Sequence, residues 1–185
     1  MADAPSQFSK FKALIETDGL PALGPQLRAG TASGSELDRK LSNFFTTEKV
    51  SALAQPLLRG AALLWHDHLD ASHSVSQEIE SREGSWLHGI MHRREPDYGN
   101  AKYWFRRVGR HEAFPKLAEQ VAALQSLDAA PELTGLIEKG EWAPFVFVDL
   151  CAGAEQAKDA SLTAILKQVQ AIEFDVLIQH VLAHA

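Results

Sequence analysis

Histidines and carboxylates recur at helical spacing in two neighbouring stretches of the chain. His66, Asp70, His73 and Gln77 stand at offsets of 4, 7 and 11, and at about 100° per residue they share a stripe roughly 60° wide. His88, His92 and Glu95 repeat the device at offsets of 4 and 7, again within about 60°. If each stretch is a helix and the two are antiparallel neighbours, the stripes face one another. Zn, Fe, Mn and Ni accept imidazole and carboxylate ligands together, and helical bundles build such sites from facing helices. The candidate ligands for one divalent metal are therefore His66, Asp70, His73, His88, His92 and Glu95. The likeness to di-iron carboxylate bundles is limited to spacing, because no second pair of carboxylate helices is evident; a mononuclear site with three or four of these ligands is the economical version. Without a metal, His73, His92 and Glu95 remain candidates for proton transfer. The same residues also suit a hydrogen-bonded network that fixes helix register and does no chemistry.

A cationic segment follows. Between His92 and Arg110 six cationic side chains stand against two carboxylates, in a chain whose net charge is −6. An overall acidic chain argues against a nucleic-acid partner, and a local cationic zone suits a small anionic ligand. Arg93, Arg94, Arg106 and Arg107 offer guanidinium forks for carboxylate or phosphate, with Asn100, Lys102 and Tyr103 beside them. The alternative is internal pairing of these arginines with Glu95, Asp97, Asp67 or Asp70. Other chemistry is poorly represented: there is no P-loop, dinucleotide-binding glycine motif, His-Glu-x-x-His or G-x-S-x-G. The single cysteine, Cys151, excludes an intrachain disulfide and reads as a small buried hydrophobe. His180 and His184 read as part of a solvated face.

The string WLHGIMHRREPDYGNAKYWFRRVG resembles a stretch found in an uncharacterised family of bacterial and fungal proteins, over roughly residues 63–115. No activity is established for that family, so the resemblance implies no substrate, cofactor or catalytic role.

The elements that must position these residues are helices. Phe8, Phe11, Leu14 and Ile15 predict a helix over 7–17, followed by a glycine- and proline-rich loop. Ser35 can cap a helix carrying Leu37, Leu41 and Phe44, and Thr46 or Thr47 can cap another running towards Pro56. The pattern from Leu57 to Glu83 predicts one long helix ended by Gly84, and Trp86 to Glu95 a further helix stopped by Pro96. Asn100 is the expected cap of a helix through Val108. Helices are also expected over 114–126, 131–139 and, capped by Asp159, 159–183. The apolar run 142–151 has strand-like composition but no clear partner strand, and is read as a buried helix beginning at Pro144.

The expected architecture is a single all-α domain over 1–185, with about seven to nine helices and a partly loop-like arm over 1–34. The hydrophobic content of 45% and charged content of 23% fit a globular chain. With no run long enough to span a membrane and no apolar leader, a cytoplasmic location is expected, with no membrane partner. The functional expectation is a small-molecule-binding protein or enzyme whose His and carboxylate pocket binds a divalent metal beside an anion-binding zone. Hydrolysis or isomerisation assisted by a metal-bound water is the simplest such chemistry. The rival is a non-enzymatic interaction protein in which the histidines form a buried network.

Overall fold

A computed structural model describes residues 6–124 and 131–184. Among these the architecture is all-α, as the periodicity predicts. Nine helices occur: α1 (Gln7–Ile15), α2 (Gly34–Glu48), α3 (Ala54–Trp65), α4 (Leu69–Ser76), α5 (Arg82–Arg94), α6 (Tyr98–Val108), α7 (Phe114–Ala122), α8 (Pro144–Ala157) and α9 (Ala160–His184). None is long and apolar enough to cross a membrane.

The caps lie close to the expected places but not on them. Ser33 rather than Ser35 caps α2, its Oγ accepting from the Glu36 N–H at 3.2 Å. α2 runs straight through Thr46 and Thr47 and stops where Lys49 turns left-handed (φ 54°), so neither threonine caps a helix. Pro56 sits in the first turn of α3, where its missing N–H costs nothing. Asp97, not Asn100, caps α6 by accepting from the Asn100 N–H at 3.1 Å. α8 does begin at Pro144, and Asp159 does cap α9 through bonds from the Ser161 and Leu162 N–H groups.

Three expected elements are corrected. The helix over 131–139 is instead a 3-10 stretch, Pro131–Leu136, leading into a hairpin of β1 (Ile137–Glu138) and β2 (Glu141–Trp142). Lys139 and Gly140 both take positive φ (53° and 79°), the twist a two-residue hairpin requires. The helix from 114 ends at Ala122, and the expected extension to 126 falls partly outside the described residues. Most consequentially, the single helix over 57–83 is two. α3 ends at Trp65, Asp67 is left-handed (φ 65°), and α4 starts anew at Leu69. Gly84 opens α5 rather than closing a helix; a Cβ there would stand 2.4 Å from the Ile79 carbonyl oxygen, so the chain can pass only with glycine.

The break at Asp67 has a chemical cause. Its side chain is fully buried and accepts from Arg94 Nη2 at 2.6 Å, Arg28 Nε at 2.7 Å and the Arg28 N–H at 3.0 Å. Arg28 also donates to the carbonyls of Gly19, Leu20 and Trp65, which pins the irregular segment before α2 onto the end of α3. His66 Nδ1 accepts from the Ala32 N–H at 3.0 Å and His68 Nε2 donates to the Ala32 carbonyl at 2.8 Å, closing the other side of that loop.

α5 is the axis of the fold. Every residue from Gly84 to Arg94 is buried, with α3, α4 and α6 packed around it and α9 reached through Trp86 and Arg93. Trp86, Phe105, Phe147, Phe174 and Leu64 fill the surrounding core.

Burial alone raises the Asp67 carboxyl, but the bonds from Arg28 and Arg94 outweigh it and hold the group below its ordinary value. A depressed carboxyl contributes stability that is complete above the unfolded value and is lost as pH falls through the folded one. Asp67→Asn should therefore cost about 3–5 kcal/mol at pH 7, because it strands the fully buried Arg94 guanidinium and also removes the partner of the part-buried Arg28. Urea midpoints should show the penalty beginning to shrink as pH falls below about 4, where the unfolded carboxyl takes up its proton, and vanishing only below the lower folded value, where the native carboxylate is protonated too.

Candidate metal centre

Two of the expected ligands come from α5 and one from α4. His88 and His92 are one turn apart on α5, 2% and 6% exposed, and half-buried His73 packs against both, with ring centroids 4.8 Å and 5.3 Å away. One ring nitrogen from each of the three can be chosen so that all lie within 4.8 Å of one another. Nitrogens bound to one zinc at about 2.0–2.1 Å stand roughly 3.3 Å apart in a tetrahedral site, so a modest contraction brings the set to ligand geometry.

The protonation pattern suits a cation. Glu95 accepts from His92 Nδ1 at 3.1 Å, and because a carboxylate only accepts, that nitrogen carries the proton and Nε2 presents its lone pair. Asn100 Nδ2 donates to Nε2 at 3.1 Å, so that lone pair is taken by the amide here and a cation would have to displace it. A carboxylate behind an imidazole is the arrangement that orients histidine ligands and raises their basicity. His88 differs from its neighbours: both of its ring nitrogens are buried and neither has a hydrogen-bond partner. Burial, with the adjacent His92 and His73, pushes the His88 pKa down to about 3, so its ring is neutral and open to a Lewis acid at physiological pH. Burial also lowers His92, against the upward pull of Glu95.

One wall of the centre is aromatic. The Trp104 indole stacks on His88 at 3.9 Å with planes 12° apart, His88 stacks on His92 at 4.8 Å, and the Arg107 guanidinium lies over the far face of Trp104 at 5.2 Å. α6 brings these residues in because α5 and α6 cross closely at Gly89, where a Cβ would stand 3.0 Å from the Phe105 ring.

The other expected ligands lie elsewhere. The break at Asp67 ends the continuous stripe: His66 is turned to Ala32, Asp70 is exposed in the first turn of α4, and Gln77 is exposed at its end. Glu95 is half-exposed and serves His92. Of the residues expected to hold an anion, Arg93 and Arg94 are consumed inside the protein. Arg93 forks onto Glu173 at 2.6 and 3.3 Å and onto Gln170 at 3.2 Å, beneath Phe147; Arg94 bonds Asp67 and the Leu64 carbonyl. Neither reaches a ligand. Lys102 pairs with Asp149 and Asn100 serves His92. Tyr103, Arg106 and Arg107 are exposed, and among the described residues neither arginine has a carboxylate partner; Arg106 lies over Phe145. Burial raises the Cys151 thiol to about 12, which removes it as a nucleophile.

Sequence reasoning missed a second cluster. His180, read as a solvated face, is buried and meets His111 and Glu83, with Glu112 and His184 on its outer side. Its one visible signal was the four-residue spacing of His180 and His184. Comparison with protein-family models, with curated proteins and with solved structures finds no match.

Gly89→Ala should destabilise the fold by about 1–3 kcal/mol through overpacking at the α5–α6 crossing. It should also change the near-ultraviolet circular dichroism through Trp104, whereas Gly153→Ala, in open space on α8, should leave that signal unchanged.

Proposed function

We propose that this chain binds one divalent transition metal through His73, His88 and His92, and that the position left open on the metal carries a reactive water. The observation that carries this reading is His88. An imidazole buried with both nitrogens unpartnered costs about 1–3 kcal/mol, and a purely structural histidine network would supply the missing partners. A metal ion supplies one of them. Three neutral imidazoles with a carboxylate behind one of them match zinc best among the candidate ions, ahead of Fe, Mn and Ni. Zinc so held brings the pKa of a bound water to near 7, which suits hydrolysis or a related addition of water. Arg107, exposed over the Trp104 ring, favours an anionic small molecule as the species attracted to that face.

Titration of untagged protein with Co²⁺ or Ni²⁺ tests the centre through the Trp104–His88 stack. The part of the tryptophan quench that saturates at the first equivalent should disappear in Trp104→Phe. Zinc at about 100-fold above its dissociation constant should stabilise the fold by about 2.7 kcal/mol. His88→Leu should abolish quenching while the metal-free protein keeps or gains stability, because the substitution removes an unpaired buried polar group. Uptake and quenching unaltered in His88→Leu would overturn the assignment.

A further inference from the structure

At the opposite end of α5 a second set of donors converges from three elements. His180 and His184 are one turn apart near the end of α9, with rings stacked at 4.4 Å. Glu112 precedes α7, and its Oε1 is 3.7 Å from His180 Nε2; Glu83, in the first turn of α5, reaches the same nitrogen at 3.4 Å. A choice of one ligand atom each from Glu112, His180 and His184 fits within 4.8 Å.

Proton bookkeeping sorts this cluster. His111 Nδ1 accepts from the Ala113 N–H at 3.2 Å, so its proton is on Nε2, which donates to Glu83 Oε1 at 3.1 Å. That tautomer has no lone pair to offer, and His111 belongs to the scaffold; its bond is the leading reason that the Glu83 carboxyl is lowered to about 2. His180 Nε2 faces the Glu83 and Glu112 carboxylates, so the same rule places its proton there, and a cation bound at that nitrogen would take the proton's place. His184 is the reverse case. Its Nδ1 lies 3.0 Å from the His180 carbonyl, which only accepts, so Nδ1 is protonated and Nε2 is free. Backbone carbonyls hold ligating imidazoles in this way. Two clefts flank the pair, one of about 300 Å³ beside Lys116 and Gln179 and one of about 260 Å³ beside Leu53 and Ile79, and both open onto His180 and His184. Solvent and an incoming ion therefore reach the cluster.

We infer that His180, His184 and Glu112 form a second divalent-metal site of the zinc class, with Glu83 as the carboxylate on its inner side and the remaining position open to the clefts. Two imidazoles one helical turn apart plus a carboxylate are a recognised donor set for such ions. The site shares α5 with the three-imidazole centre but none of its ligands: at about 1.5 Å rise per residue, Glu83 is roughly 7.5 Å from His88 and roughly 13.5 Å from His92 along the helix. Its ligands are more exposed, with Glu112 at 72%, so this ion exchanges with solvent more readily than the one held by His88.

Equilibrium dialysis of the full, untagged chain against Zn²⁺ alone, with metal quantified per protein, tests the inference. Wild type should hold two equivalents, and His184→Ala and Glu112→Gln should each hold one while keeping the Trp104 quench by Co²⁺. Both changes are at exposed side chains, and an unchanged melting temperature without metal checks that the fold is kept. His88→Leu should show the converse: one equivalent retained and the Trp104 quench lost. If the three-imidazole centre is wrong but this site is right, wild type holds a single equivalent that His184→Ala removes and His88→Leu does not. Zinc content unchanged in both His184→Ala and Glu112→Gln overturns the inference.

Discussion

A helix buried from Gly84 to Arg94 and rich in ionisable side chains is the constraint around which this protein is arranged. α5 places Trp86, His88, His92, Arg93 and Arg94 in a region with almost no access to water. Each polar group taken there must be satisfied or it subtracts from a net stability of only about 5–15 kcal/mol. Arg93 draws Glu173 and Gln170 inward from α9, and Gln170 in turn donates to the Ala22 carbonyl. Arg94 requires Asp67, and Asp67 bonded by two arginines is what turns the chain left-handed between α3 and α4. The irregular arm, the helix break and the docking of the longest helix are thus consequences of making two guanidinium groups tolerable in the core.

This dependence separates what the sequence reveals from what it conceals. A helix with strong apolar periodicity such as α2, an aspartate-capped helix such as α9 and a proline-started helix at Pro144 are visible because their causes are local. The break at Asp67 is invisible because its causes are Arg28 and Arg94, 39 and 27 residues away. Periodicity carried across that break places His66 and Asp70 beside His73. Once the chain turns, only His73 still faces α5, where the spacing of His88 and His92 holds because that helix is continuous. The arginines illustrate the same point from the opposite side: a run such as Arg93-Arg94 looks like a ligand clamp until Glu173, 80 residues away, is seen to occupy it.

Within the candidate centre, the bonds around each imidazole discriminate more sharply than the distances between them. His66, His68 and His111 are each committed to a backbone group or a carboxylate, and their proton positions follow from those partners. His88 has no such commitment. In a core where even Gln170 is bonded, a two-sided orphan next to two other imidazoles is the strongest local departure from the rule that buried polar groups are paired, and departures of that kind concentrate where binding or catalysis needs an unsatisfied group.

The contraction that the proposed metal binding would require falls on one element. His88 and His92 are fixed relative to each other by the helix that carries both, and by the Trp104 stack and Glu95 behind them. His73 sits on α4, eight residues long, bounded by the left-handed Asp67 and by the turn before Ser81. α4 has Ser72 anchored to the Gly60 carbonyl at its start and exposed Gln77 and Glu78 at its end. The proposed binding would call for a small shift of this short helix that carries the His73 ring towards the α5 pair. The break that removed His66 and Asp70 from the expected ligand stripe therefore also frees the one ligand that has to move.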